Sequence, residues 1–370
     1  MRRTIGAIAG IGVAGLVLAA CGSAPDDGGS TTTGAPSPTS PSPTETTGEP
    51  TPMPGAVKAC MISDQGGFDD RSFNETAFAG LEAAGSEFGI ETLALESGSD
   101  ADYQPNLNQA IQQGCNMIVT VGFLLGDATA EAAEANPMVN FAIVDYAYED
   151  PSDNLKGLVF ATEQSSFVAG YLAAGMTETG TVGTYGGIPI PSVTAFMTGF
   201  YQGVTYYNET NGTDVSVLGW DPTDPEKGTY AGGFEDQNQG RQIARNFIQQ
   251  GADIIFPVAG PVGLGSAAEA QSSDGVSVIW VDTDGCVSAS QYCDVFLTSV
   301  VKGIDVSVKD SIGEAVNGTF SNAVYVGTLA NGGTSIAPYN EFEDAVPAEL
   351  QAEVDQVTQD IIDGTITVTP

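Results

Sequence analysis

The chain reads as an α/β protein of two similar lobes. Each lobe is built on a doubly wound parallel sheet, and the two face each other across a central cleft with a hinge. Three observations predict this. From Ala56 onward, short β-branched runs alternate with helical stretches, the rhythm of a parallel sheet covered on both faces. About 315 residues lie in that region, enough for two cores rather than one. The rhythm also repeats. Ile111-Gln112-Gln113-Gly114 opens a run M-I-V-T-V-G, and Ile248-Gln249-Gln250-Gly251 opens D-I-I-F-P-V-A-G; the runs that follow end in Ile143-Val144-Asp145 and Trp280-Val281-Asp282. Both pairs stand 137 residues apart (248 − 111 and 282 − 145). Either match alone is weak; two at one offset indicate a duplication.

Two segments precede the lobes. Residues 1–21 hold a basic start, Met1-Arg2-Arg3, an apolar run from Ile5 to Leu18, and Leu18-Ala19-Ala20-Cys21-Gly22. This is the pattern of a bacterial secretory signal with a lipobox, in which Cys21 carries lipid and becomes the mature N-terminus. The run is too short and too weakly apolar to be read first as a membrane span. Residues 22–55 are dominated by Ser, Thr, Pro and Gly, a composition that cannot bury a core. They read as a tether spanning roughly 30 Å.

Within the folded part, strands are predicted at Val57–Ser63, Thr92–Glu96, Met117–Val121, Phe141–Asp145 and Leu158–Ala161, then at Thr181–Tyr185, Ser216–Gly219, Asp253–Val258 and Val278–Asp282. The expected N-terminal lobe is 56–176 plus 297–321, and the C-terminal lobe 177–296 plus 322–370. The chain then crosses between lobes near Met176, Phe296 and Asn322, where hinge bending is expected.

Charge narrows the partners. Ten Lys and Arg stand against 47 Asp and Glu, for a net charge of −37, and there is no His. Such a surface repels nucleic acid and anionic head groups and disfavours a phosphorylated ligand. Four cysteines follow Cys21, and outside the cytoplasm an even number suggests disulfides. Cys286 and Cys293 bracket a short loop. Cys60 lies in the first strand and Cys115 opens another, so they pair if those strands are neighbours. No spacing suggests a metal site or a cofactor.

In open parallel sheets, ligands sit beyond the carboxyl ends of the strands. Asp145 and Asp282 then look into the cleft from opposite walls. The loop Asp64–Asn74, Gly122-Phe123, Gly186-Gly187, the loop Gly232–Asp236 and Gly260 join them. Carboxylates accept strongly from hydroxyl pairs, and aromatic rings stack on flat bases. A nucleoside supplies both a ribose and a base without phosphate.

The loop D-Q-G-G-F-D-D-R-S-F-N-E-T-A-F-A-G at 64–80 resembles the leading motif of the basic membrane protein family. Further similar segments follow in order: N-P-M-V-N-F-A-I-V-D at 136–145, G-G-F-E-D at 232–236, G-A-D-I-I-F-P-V-A-G at 251–260, V-D-T-D at 281–284 and L-T-S-V-V-K at 297–302. The family consists of lipid-anchored substrate-binding proteins of ABC transporters with the type I periplasmic-binding-protein fold, and its characterised members bind purine nucleosides. The resemblance implies that Phe73 and Phe234 stack on the two faces of a base, and that Asp64, Asn74 and Asp145 contact base or ribose from the first lobe. It implies that Gly260, Asp282 and Lys302 contact ribose from the other side. The expected partners are a nucleoside and ABC permease subunits, with membrane anchoring through Cys21, no nucleic acid and a monomeric chain. Phe68 departs from the family, where a small residue is common, and would narrow or cover the site.

Plainer roles compete. Phe73 precedes a helix and suits a hydrophobic staple. Asp145 and Asp282 suit helix N-caps, Gly122 and Gly260 tight turns, and Lys302 a solvated helix-end charge. Two alternatives stand beside nucleoside import: a sugar-binding protein of the same fold, and a surface lipoprotein without a transport role. Enzyme motifs are fragmentary. Ser299–Lys302 fits S-x-x-K and Ser152–Asn154 fits S-D-N, but in reversed order and with no K-T-G following. Gly260-Pro261-Val262-Gly263-Leu264-Gly265 lacks the phosphate-loop pattern and its Lys. Without His, triad chemistry is excluded; a carboxylate-pair glycosidase or nucleosidase stays open on sequence alone, and no catalytic residue is assigned.

Overall fold

The computed structural model describes residues 56–370. The predicted signal with Cys21 and the tether 22–55 lie outside the described residues. The described chain runs β1 (Lys58–Ser63), α1 (Phe73–Phe88), β2 (Glu91–Leu95), α2 (Tyr103–Gln112), β3 (Met117–Val121), α3 (Gly126–Ala135), β4 (Asn140–Val144) and β5 (Leu155–Phe160). It continues through α4 (Thr162–Met176), β6 (Thr181–Gly186), α5 (Pro191–Asn211), β7 (Ser216–Leu218), α6 (Gln237–Gln249), β8 (Ile254–Val258), α7 (Gly263–Gln271) and β9 (Ser277–Asp282). It ends with α8 (Gly285–Ser288), β10 (Phe296–Lys302), α9 (Ile304–Val316), β11 (Tyr325–Gly327), β12 (Thr334–Ile336) and α10 (Ala348–Ile362).

Two six-stranded sheets form, in the orders β11-β5-β4-β3-β1-β2 and β12-β10-β9-β8-β6-β7. The orders correspond strand for strand. Every pairing is parallel except the edge pair β10–β12. The central strands β3 and β8 are buried at every residue, as helices on both faces require. β1 and β3 are neighbours, and a disulfide joins Cys60 in β1 to Cys115, two residues before β3. A second disulfide closes the seven-residue step from Cys286 to Cys293.

The lobe boundaries differ from the sequence expectation. The chain first crosses at Ala161, after β5, not near Met176. Helix α4 is buried nearly all round, and its Phe167 and Leu172 share a core with Phe200 of α5 and Val300 of β10. It therefore belongs to the second lobe. β10 pairs with β9, so 297–302 also lies in the second lobe, and the second crossing falls at Gly303 rather than near Phe296. β11 then adds to β5 of the first sheet and β12 to β10 of the second, which moves the third crossing from Asn322 to the segment between Gly327 and Thr334. Backbone hydrogen bonds tie the crossings together: Ala161 donates to the Gly327 carbonyl at 2.7 Å and Gly303 to the Gly333 carbonyl at 3.0 Å.

Candidate functional site

The parallel sheets direct their carboxyl ends toward the seam between the lobes. One residue beyond each strand, the ladder persists by single hydrogen bonds. Asp64 donates its amide to Val121, Gly122 to Val144, Asp145 to Leu158, and Gly187 to Val258. Each switch-point residue is thereby fixed against its neighbour before the chain turns away. Asp145 and Asp282 both take left-handed backbone, at φ 66° and 69°. Such strain in a non-glycine residue persists only where surrounding structure over-determines it.

Between the lobes lies a cavity at the strand ends, where small-molecule sites of this architecture sit. Asp64, Phe73, Asn74, Asp145, Phe234, Gly260, Asp282 and Lys302 all line it, so the structure brings every ligand-binding candidate of the sequence to one place. Asp70, Phe123, Phe196 and the first turn of α5 line it too. Phe196 was not foreseen. The one signal for it is Gly-Gly followed by Pro191, since proline at a helix start placed just after a strand end puts that first turn at the cleft.

The loop Asp64–Asn74 is organised by Asp70. Its carboxylate accepts from the amides of Ser72 (3.0 Å), Asn74 (2.9 Å) and Glu75 (3.1 Å), which caps α1 from outside the helix. Phe73 is the first helical residue, not the residue before the cap, so the staple reading does not fit. Its half-buried ring lies beneath the Lys302 ammonium, 4.9 Å from Nζ to the ring centre. Phe68 turns away from the cavity and packs on Phe78 at 5.0 Å, so it neither narrows nor covers the site.

The Asn74 amide donates to Asp64 Oδ1 at 2.9 Å, while its own Oδ1 is buried without a hydrogen-bond partner. A buried acceptor of this kind calls for a donor. Burial pushes the Asp64 carboxyl up to about 8; the Asn74 hydrogen bond opposes this, and the charges of Asp70, Asp145 and Asp282 add to it. Asp64 is therefore a protonated carboxyl at neutral pH, able to donate as well as accept. Gly122 presses against it. A Cβ there would come within 2.1 Å of Asp64 Oδ2, and φ is 116°.

Opposite, Lys302 Nζ contacts Asp145 Oδ2 at 2.7 Å and Asp282 Oδ1 at 3.3 Å, and it is 3% exposed. It is not a solvated helix-end charge. Burial works against its ammonium form, but the two carboxylates outweigh burial and hold it above the ordinary lysine range. Asp145 and Asp282 are not helix caps either; Asp284 caps α8 by accepting from the Cys286 amide at 2.9 Å. Phe234 packs on Gly187, where a Cβ would meet the ring at 2.3 Å. Ser299 accepts from the Gly285 amide and Ser152 stands in an exposed loop, so the S-x-x-K and S-D-N fragments make no joint site.

Two duplicated parallel-sheet lobes enclosing a polar, aromatic-lined cavity at their strand ends define a solute-binding fold of the periplasmic-binding-protein type. The chain belongs to the family of ABC transporter substrate-binding proteins described as PnrA-like, whose model matches residues 57–369. It is 33% identical over 330 residues to the ABC transporter nucleoside-binding protein BmpA of Lactococcus lactis subsp. cremoris, covering 84% of this chain and 89% of that one. It is 30% identical over 316 residues to basic membrane protein A1 of Borrelia garinii, covering 84% and 88%. Its fold matches the crystal structure of an ABC transporter solute-binding protein from Aeropyrum pernix, with a TM-score of 0.76 and 26% identity over 85% of this chain and 94% of that one. The family is one of binding proteins rather than enzymes.

Proposed function

We propose that this chain is a lipid-anchored, monomeric protein that binds a nucleoside, of the purine class, and delivers it to an ABC permease outside the cytoplasm. The carrying observation is the composition of the cavity. Phe73 enters from the first lobe and Phe234 from the second, with hydrogen-bonding groups at two ends. At the Asp64–Asn74 end, a protonated carboxyl and an unpartnered amide oxygen suit the mixed donors and acceptors of a base edge. At the other end, Asp145 and Asp282 outnumber Lys302, and surplus carboxylate oxygen suits ribose hydroxyls. In this reading the rings hold the base and Gly260 leaves room beside the sugar, since nothing lies within 4 Å of a Cβ built there. The relative named as nucleoside-binding supports the same ligand class. Cys21 supplies the anchor and 22–55 the tether.

Calorimetry with adenosine, guanosine, inosine, cytidine and uridine tests this. Binding of at least one purine nucleoside, with weaker binding of pyrimidines, is expected. Tight binding of a free sugar and of no nucleoside would move the protein to the sugar-binding alternative. Palmitate labelling and membrane retention of the wild-type chain, both lost in Cys21→Ser, test the anchor.

A further inference from the structure

Ser72 occupies the N-cap position of α1, where a serine hydroxyl ordinarily accepts from the amides of the first turn. Here it makes no capping bond. Asp70 has taken the amides of Asn74 and Glu75, and that of Ser72 as well. The hydroxyl is freed and crosses the seam. It donates to Asp282 Oδ2 of the second lobe at 2.7 Å, and Ser72 is fully buried. One residue earlier, the Arg71 carbonyl accepts from the Trp280 indole N–H of the same strand as Asp282, at 3.3 Å. Arg71 holds a left-handed φ of 63°, which turns that carbonyl and the next side chain toward the second lobe.

We propose that Ser72 is a positioning residue that latches the two lobes together and orients Asp282 for the ligand. Asp282 and Lys302 end adjacent strands of one sheet and stay together whatever the lobes do. Asp145 and Ser72 come from the other lobe. When the lobes meet, Asp145 joins Lys302, and two carboxylates then share one ammonium in a buried space. The surplus negative charge opposes that meeting. The Ser72 hydroxyl offsets it by giving Asp282 a second donor on the oxygen that Lys302 does not hold. The latch thus makes the aspartate's orientation a property of the closed cleft alone. This inference rests on the cleft being the ligand site, but not on the ligand being a nucleoside.

The test uses the full chain and Ser72→Ala, with Ser72→Thr as the variant that keeps the hydroxyl. In ligand-free protein, hydrogen exchange at the Trp280 indole, followed by NMR, reads the seam directly. Exchange is expected to be about tenfold faster in Ser72→Ala, the size of one hydrogen bond to a charged group, and restored in Ser72→Thr. With inosine as the probe, dissociation is expected to accelerate about tenfold while association stays within about twofold. Unchanged indole exchange in Ser72→Ala overturns the latch even if no nucleoside binds, and absence of inosine binding with faster exchange counts only against the ligand class. A lower melting point with unchanged exchange and unchanged dissociation would mean that Ser72 serves α1 alone. Slower dissociation would mean that it competes with the ligand for Asp282. If Ser72→Ala does not fold, Ser72→Cys, nearly isosteric but a weak donor, takes its place with the same readings, and unchanged indole exchange overturns the latch.

Discussion

Lys302 Nζ and Asp145 Oδ2, 2.7 Å apart, join the last residue of β10 in the second lobe to the turn after β4 in the first. Three aromatic rings surround the same ammonium, those of Phe73, Phe196 and Phe160, at 4.9, 5.0 and 5.8 Å. The pair is thus withdrawn from water and screened little by salt. Removing the cation leaves Asp145 and Asp282 buried and facing each other. Lys302→Met should lower stability by about 3–5 kcal/mol in urea denaturation, and Asp145→Asn in the same chain should recover part of that loss. An unchanged midpoint for Lys302→Met would show that water reaches these carboxylates.

Gly122→Ala should be far more damaging than a glycine replacement elsewhere. The new Cβ meets Asp64 Oδ2 at 2.1 Å on an extended, positive-φ backbone (φ 116°, ψ 143°) that suits glycine, whereas at Gly89, in the left-handed helical region (φ 62°, ψ 35°), nothing lies within 4 Å. Gly89→Ala should cost about 1 kcal/mol, from backbone strain alone. Gly122→Ala should cost about 3 kcal/mol and should also impair ligand binding, because Asp64 must move. Equal effects of the two substitutions would show that Asp64 is free to swing aside.

The two disulfides should differ in value. Cys60–Cys115 closes a separation of 55 residues and Cys286–Cys293 one of 7. Loop entropy assigns the first about 4 kcal/mol and the second about 2 kcal/mol. Paired Cys→Ala variants, unfolded in guanidinium, measure both. A larger loss from the short loop would show that its bond acts through the native packing of α8 instead.

Much of this was legible in the sequence, for a physical reason. A strand end followed by Asp or Gly marks a switch point, and the duplication set such ends opposite each other. Asp64, Asp145, Gly260 and Asp282 were therefore placeable from pattern alone. The crossings were not. Residues 297–302 look like a strand in either lobe, and only pairing with β9 assigns them. β11 and β12 have three residues each and carry little periodicity. From Phe167 onward helix α4 is apolar on every side, which signals burial without naming the partner. Ser72 was hidden because an N-cap serine is ordinary, and its departure from capping follows from Asp70 reaching the same amides first.

Asp64 should make stability fall as pH rises. Its folded pKa of about 8 lies above the ordinary value of 3.8, so the folded protein holds a proton that the unfolded chain has lost between those values. Stability from this group is complete below pH 4, declines through the interval and levels off above pH 8. Asp70, pushed by burial up to about 6, adds the same sign below pH 6. Between pH 6 and 8 the slope from Asp64 is about 1.4 kcal/mol per unit at most and falls by half toward pH 8. Melting temperature should thus be lower at pH 8 than at pH 6, and Asp64→Asn should flatten that interval. A wild-type melting temperature that rises from pH 6 to 8 would show that Asp64 is ionised.

Phe73 and Asp282 should fail in different ways. Phe73 is half-buried at the first turn of α1, and Asp70 caps that helix without it. Truncating the ring removes a surface on which a base stacks but little that holds the fold. Phe73→Ala should weaken every accepted nucleoside by a similar amount, on the order of 1–3 kcal/mol, with a small change in melting temperature. Asp282→Asn keeps the size of the side chain and replaces a carboxylate with a weaker acceptor. Its loss should be large for ribonucleosides and small for 2′,3′-dideoxy analogues, which lack the 2′ and 3′ hydroxyls. It should also lower the melting temperature, because Ser72 and Lys302 both lose their charged partner. Affinity and melting temperature measured on one sample of each variant separate the two roles. Full affinity in Phe73→Ala alongside a large drop in melting temperature would assign the ring to the helix and its Lys302 contact. Equal losses for ribo- and dideoxynucleosides in Asp282→Asn would place the sugar elsewhere in the cleft.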